Sequence, residues 1–152
     1  MSNTIHFISG RDEYGWLSNF HYAPFEYNGK TWLTVEHAFQ AAKVEFKGPW
    51  AEKIRTAKAP GIAKRLGRDC PLRKDWEHVK LGIMLDLVKA KFLSNPELGD
   101  KLLLTERRTL EEDAYWDTFW GTGKTGPGGR GRNELGKILM AVRTQLAAER
   151  KK

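Results

Sequence analysis

Two periodicities of apolar residues organise this chain. Val35, Ala38, Phe39 and Ala42 fall at i, i+3, i+4 and i+7, the spacing of one apolar helical face. Thr34 precedes them and can cap the helix, its hydroxyl accepting a free first-turn N–H. Glu36, Gln40 and Lys43 form a polar stripe beside that face, about 10 Å end to end at ~1.5 Å per residue. Further helices are predicted over Trp50–Ala57, from Pro60 to Leu66 with Gly67 as the stop, and from Asp75 through Phe92. The last of these is the longest, with Trp76, Val79, Ile83, Leu87 and Phe92 on a stripe widened by Leu81, Met84, Leu85 and Val88, so it is expected to be central. Asn95-Pro96 starts another through Leu104, and Asn133 caps a final helix burying Leu135, Ile138, Leu139, Val142 and Leu146.

Strand signals are shorter. Ile5–Ile8 is an apolar run, and Arg108–Leu110 a brief extended segment. Phe25–Tyr27 and Lys30–Trp32 flank Asn28-Gly29, a pair suited to a two-residue type I′ turn. Ser9–Asn19 reads as a long loop, with Arg11 and Asn19 as polar candidates for ligand contact. Gly121–Arg132 holds six glycines, Pro127, three basic residues and no apolar side chain, so it is a loop.

The length of 152 residues predicts a single domain over 1–152 with one well-buried core. No apolar run approaches the ~20 residues that span a bilayer, and MSNTIHFISG lacks signal-peptide character, so a cytoplasmic protein is expected with no membrane partner. The single Cys70 excludes an internal disulfide and a thiolate metal cage. A net charge of +7 favours anionic partners such as phosphates or nucleic acid, and equally describes a solvated basic surface. Lys58, Lys64, Arg65 and Arg68 cluster around one helix as a candidate phosphate site.

Some motifs fail on inspection. GTGKT at Gly121–Thr125 lacks the first P-loop glycine, Thr118 standing in its place, and no buried strand precedes it. His6, His21, His37 and His78 have no metal-ligand spacing, so neither metal nor cofactor is expected. Two features survive. Glu111–Trp120 alternates acids with aromatics and runs into the glycine loop, where Arg130, Arg132 and the last helix's N-terminus can cradle a phosphate. The second feature is the acid–amine stripe of the first helix. Two separated acids and a lysine in one pocket suit chemistry at a sugar anomeric carbon, where positive charge develops.

Tyr14–Phe20, Gly29–Trp32, the Glu36-His37…Phe39-Gln40…Lys43 helix, Ala63–Arg68 and Trp76 follow one another in an order that resembles the NADAR (YbiA-like) family. Asp117-x-x-Trp120-Gly121, Gly131-x-Asn133-x-Leu135-Gly136 and Leu139-Met140…Arg143 continue it over nearly the whole chain. The resemblance implies an α+β, mainly helical fold with a short β-hairpin or small sheet near the N-terminus. It also implies hydrolysis of N-glycosidic bonds, either in riboflavin-pathway intermediates joining ribose phosphate to an aminopyrimidine or in ADP-ribose attached to guanine, including in nucleic acid. By position, Glu36 is then the principal catalytic acid and Asp117 a second one, while Trp76 and Trp120 stack on the base or shape the pocket. Lys43 joins them from the same helix edge as Glu36. Asn19, Arg65, Gly121 and Asn133 are the further substrate contacts. The acid–tryptophan pattern occurs twice, so Asp113 with Trp116 remains an alternative to Asp117 with Trp120. Two routes are open: Glu36 activates water, or Lys43 attacks the ring-opened sugar to form a Schiff base. A non-catalytic module binding ADP-ribose or nucleic acid, and a structural protein whose tryptophans are all core, are the competing functions.

Overall fold

The computed structural model describes residues 3–8, 13–123 and 131–151. Its elements are β1 (Ile5–Phe7), β2 (Phe25–Tyr27), β3 (Lys30–Trp32), α1 (Val35–Ala42), α2 (Gly48–Arg55), α3 (Pro60–Asp69), α4 (Trp76–Ser94), α5 (Pro96–Leu104), β4 (Leu110–Glu112) and α6 (Glu134–Arg150). The fold is α+β and mainly helical. Among the described residues no helix is long and apolar enough to cross a membrane. The chain divides into two compact units, Tyr22–Asn95 and the pair Met1–His21 with Pro96–Lys152.

In the first unit β2 and β3 pair antiparallel with Phe25 opposite Trp32. Asn28 and Gly29 both have positive φ, 53° and 77°, as a type I′ turn requires. Buried Trp32 donates its indole N–H to Tyr27 O at 2.9 Å. The hairpin delivers the chain to α1, where Thr34 Oγ1 accepts the His37 N–H at 3.1 Å as the predicted cap. His37 then binds at both ring nitrogens, Nδ1 to Thr34 Oγ1 at 2.8 Å and Nε2 to Ala57 O at 3.0 Å. A carbonyl only accepts, so Nε2 carries the proton and the Thr34 hydroxyl donates to Nδ1. Burial also lowers the proton affinity of this imidazole.

α1 packs against α2, α3, α4 and β3, and all eight of its residues are buried, the polar Glu36, His37 and Gln40 included. An eight-residue helix is marginal alone, so these contacts hold it. Just after it, Glu45 and Phe46 both take left-handed backbone, φ 61° and 60°. The Phe46 ring sits 5.4 Å from Tyr27 and 5.7 Å from Trp32, and this packing opposes a strain of about 1–2 kcal/mol per residue. α4 buries Trp76, Met84, Leu87, Val88, Lys91 and Phe92 against its surroundings, whereas Leu81 of the predicted stripe is exposed. Asp75 does not cap it through its side chain; that carboxylate pairs with Arg73 at 2.7 Å. α3 differs from expectation too: it runs through Gly67 to Asp69 instead of stopping after Leu66.

In the second unit β1 and β4 pair in parallel, Ile5 opposite Leu110. α6 packs on β4 and α5, burying Leu135, Ile138, Leu139, Val142 and Leu146 as its periodicity predicts. Asn133 precedes α6 in left-handed backbone but forms no side-chain cap. Its Oδ1 accepts the Glu112 N–H at 3.0 Å and its Nδ2 donates to Leu110 O at 2.9 Å, latching β4 to the start of the helix. Arg143 ties α6 to the turn after α5, donating to Thr105 Oγ1 at 2.8 Å and Arg108 O at 2.9 Å.

Candidate active site

The acid–amine stripe lies wholly in the Tyr22–Asn95 unit. Glu36 is 8% exposed and Gln40 5% exposed. One turn apart on α1, they are joined by a hydrogen bond of 2.6 Å from Gln40 Nε2 to Glu36 Oε2. Lys43 follows at the helix end, half-buried, with Nζ donating to Gly67 O at a long 3.4 Å. Gly67 O also accepts from Cys70 Sγ at 3.4 Å, so one carbonyl of α3 serves both side chains. The end of α1 is held from α4's approach, where Arg73 donates its backbone N–H to Lys43 O at 3.0 Å and Nη1 to Ala42 O at 3.3 Å.

The surroundings weaken this amine's hold on its proton. Burial lowers the proton affinity of Lys43. Arg68 and Lys64 add to the lowering, while Cys70 and Glu36 oppose it. Burial conversely raises the Cys70 thiol above its ordinary value. Trp76, 7% exposed, stands with its ring 6.0 Å beneath Lys43 Nζ and 5.0 Å from Phe39. Its ring is thus one wall of the lysine's surroundings as well as core. Arg65 is exposed on α3.

Gln40 and Gly67 were not singled out as functional by sequence reasoning. The signal for the first was its i+4 placement after Glu36. The signal for the second was a glycine inside a basic, amphipathic run, which local rules take for a helix stop.

The remaining expected residues lie in the other unit. Asp117 Oδ1 accepts the backbone N–H groups of Phe119 and Trp120 at 2.9 and 2.8 Å, an Asx turn that shapes the segment. The part-exposed Trp120 ring meets Phe119 edge-on at 4.8 Å. Asp113 instead holds His6 Nδ1 at 3.1 Å, and Trp116 is 54% exposed. Asn19 is part-exposed just beyond the 3-10 turn Gly15–Leu17. Gly121 is buried, its carbonyl accepting the Asn133 N–H at 2.9 Å. Phe119 O and Trp120 O take the next two amides, Glu134 at 3.0 Å and Leu135 at 3.1 Å.

At the α6 N-terminus, one part of the expected phosphate cradle, three leading N–H groups are engaged by backbone carbonyls. Arg11, Arg130 and the Lys124-Thr125 part of GTGKT lie outside the described residues. His6, Glu111 and Asp113 bring three ligand-type atoms within 4.8 Å of one another, a grouping that the spacing of the four histidines did not point to. Their contacts, 3.5 Å from His6 Nδ1 to Glu111 and 3.1 Å to Asp113, link β1 to β4 and the residue beyond it.

The NADAR domain family model matches residues 6–147. The chain is 44% identical over 148 residues to N-glycosidase YbiA of Escherichia coli (strain K12), covering 96% of this chain and 90% of that one. It is 38% identical over 162 residues to the chloroplastic riboflavin biosynthesis protein PYRR of Zea mays, covering 95% of this chain but 25% of that longer one. The NMR structure of E. coli YbiA superposes with a TM-score of 0.87 at 42% identity, covering 100% of this chain and 90% of that one.

Proposed function

The chain belongs to the NADAR family and is a hydrolase of N-glycosyl bonds; from that premise we propose that the bond it cleaves joins a ribosyl phosphate to an amino-bearing heterocycle, with Lys43 as nucleophile and Glu36 as base. The substrate class follows relatives named for riboflavin biosynthesis, together with the ribosylaminopyrimidine phosphate linkage that the family resemblance implies. ADP-ribose on guanine offers the same anomeric carbon–nitrogen bond and is the second substrate to try.

The observation that carries the mechanism is Lys43 itself: a half-buried amine whose proton affinity desolvation lowers, on the same edge as a carboxylate. An unprotonated amine is the nucleophile that Schiff-base chemistry needs. In the proposed sequence the ribose ring opens to an imine between C1 and the heterocycle's nitrogen. Lys43 Nζ adds to C1, the heterocyclic amine leaves with a proton, and C1 stays bound to Lys43 as an iminium. Water then adds to C1, losing its proton to Glu36, and collapse of the carbinolamine frees the sugar aldehyde and the lysine. Gln40 donates a hydrogen bond to Glu36, which favours the ionised carboxylate that such a base requires. Asp117 enters as a second acid on its motif alone, and Asp117→Asn with unchanged turnover would remove it.

The test is borohydride reduction during turnover of a ribosylaminopyrimidine phosphate or ADP-ribosylated guanine, read by intact-protein mass. A sugar adduct that disappears in Lys43→Ala is expected. Full turnover with no adduct on either substrate defeats the imine route. Binding of both compounds with no release of ribose phosphate or ADP-ribose would instead establish a non-catalytic module.

A further inference from the structure

We propose that Gln40 is a positioning residue for Glu36, and that Gly67 is the place in α3 that leaves room for it. The inference rests on the assignment of Glu36 as the base.

The two ends of the Gln40 amide are in unequal circumstances. Nε2 makes the 2.6 Å bond to Glu36, whereas Oε1 is buried with no hydrogen-bond partner among the described residues. The orientation is forced, because the carbonyl end would face a carboxylate if the amide turned over. Burying an oxygen without a partner is destabilising, and an apolar side chain of the same shape would avoid it. A side chain that leaves one end unsatisfied while its other end fixes the carboxylate is organised around the carboxylate.

Gly67 shows how closely the surroundings are cut to this amide. A Cβ at Gly67 would lie 1.8 Å from Gln40 Oε1 and 2.6 Å from its Cδ. Glycine inside a helix is itself unfavourable relative to alanine. Here it lets α3 approach α1 until the backbone confines Gln40. The same residue offers its carbonyl to Lys43 at 3.4 Å, so α3 bears on both members of the acid–amine pair at one position.

The charge argument supplies a readout that packing alone does not. A donor to the ionised carboxylate favours that form, so removing it raises the pH at which Glu36 loses its proton. The acid limb of kcat should therefore move upward by roughly one pH unit in Gln40→Met, with kcat at neutral pH down roughly tenfold and KM within about threefold. Gln40→Glu keeps the side-chain shape and sets a second carboxylate against Glu36, so its limb should move further in the same direction.

The experiment measures pH–rate profiles of wild type, Gln40→Met, Gln40→Glu and Glu36→Gln on a ribosylaminopyrimidine phosphate, with melting temperatures alongside. Upward movement of the limb in either folded Gln40 variant supports the proposal. If Gln40→Met fails to fold, the Gln40→Glu profile decides. A wild-type limb and kcat in a folded variant, with Glu36→Gln inactive, overturn the positioning role and leave Glu36 as the base. Wild-type turnover by Glu36→Gln overturns the assignment of the base itself.

Discussion

Lys91 is a lysine buried on α4, and its burial makes the stability depend on pH. The residue is 1% exposed on α4, and burial holds its amine at a pKa of about 7 against an ordinary 10.5. The unfolded chain therefore binds a proton here more tightly than the folded one. Between about pH 7 and 10.5 the unfolded state carries the extra proton, so stability rises with pH across that window. Below about pH 7 the cost is fully present, roughly 5 kcal/mol at ~1.4 kcal/mol per tenfold change in proton affinity. The Phe92 ring, 5.1 Å from Nζ, favours the charged amine by about 2 kcal/mol, less than that cost.

Lys91→Met keeps the apolar stem and removes the titrating group. Urea unfolding of both proteins at pH 7, 8 and 9 isolates the effect, because other titrating groups are common to the pair. Relative to wild type, the variant should lose about 2 kcal/mol of its advantage between pH 7 and pH 9. An advantage that stays constant to within ~0.5 kcal/mol over that range would show that the folded amine does not titrate there, and the burial argument would fall.

Two further predictions concern the other unit. Gly136→Ala places a Cβ 2.1 Å from Leu110 O and 2.4 Å from Asn133 Nδ2, atoms that cannot retreat without parting α6 from β4. A loss of roughly 2–3 kcal/mol is expected in urea unfolding, and a loss below about 1 kcal/mol would contradict the closeness of that packing. For the paired acid–tryptophan motifs, Trp116→Ala should leave turnover unchanged and stability within about 1 kcal/mol, since Trp116 is 54% exposed. Trp120→Ala should lower turnover at least roughly tenfold if it belongs to the site. The opposite pattern assigns the function to Asp113 and Trp116.

Local chemistry was legible without coordinates. Asn28-Gly29 demands left-handed backbone at two successive residues, so the hairpin and its register follow from the turn itself. Thr34 before an i, i+3, i+4 apolar run specified the start of α1, and the leucine and isoleucine spacing specified the buried face of α6. The Glu36–Lys43 edge was legible for the same reason, since residues three and four apart share a helix side whatever lies around them.

What the sequence by itself determined, then, is each element and the order of groups along it. Only the tertiary structure decided how those groups are environed. Gly67 signals a helix stop locally, yet α3 continues through it to Asp69, and Gln40 lies where its side chain would be. Asp75 and Asn133 carry capping side chains that neighbours claimed first: Arg73 took one, the β4 backbone the other. His6 and Asp113 meet across 107 residues through a parallel strand pair that no short-range pattern encodes. Lys43 shows the division most plainly. Spacing set it beside Glu36, but weakening an amine's hold on its proton requires removal of water, and that comes from the helices packed around it.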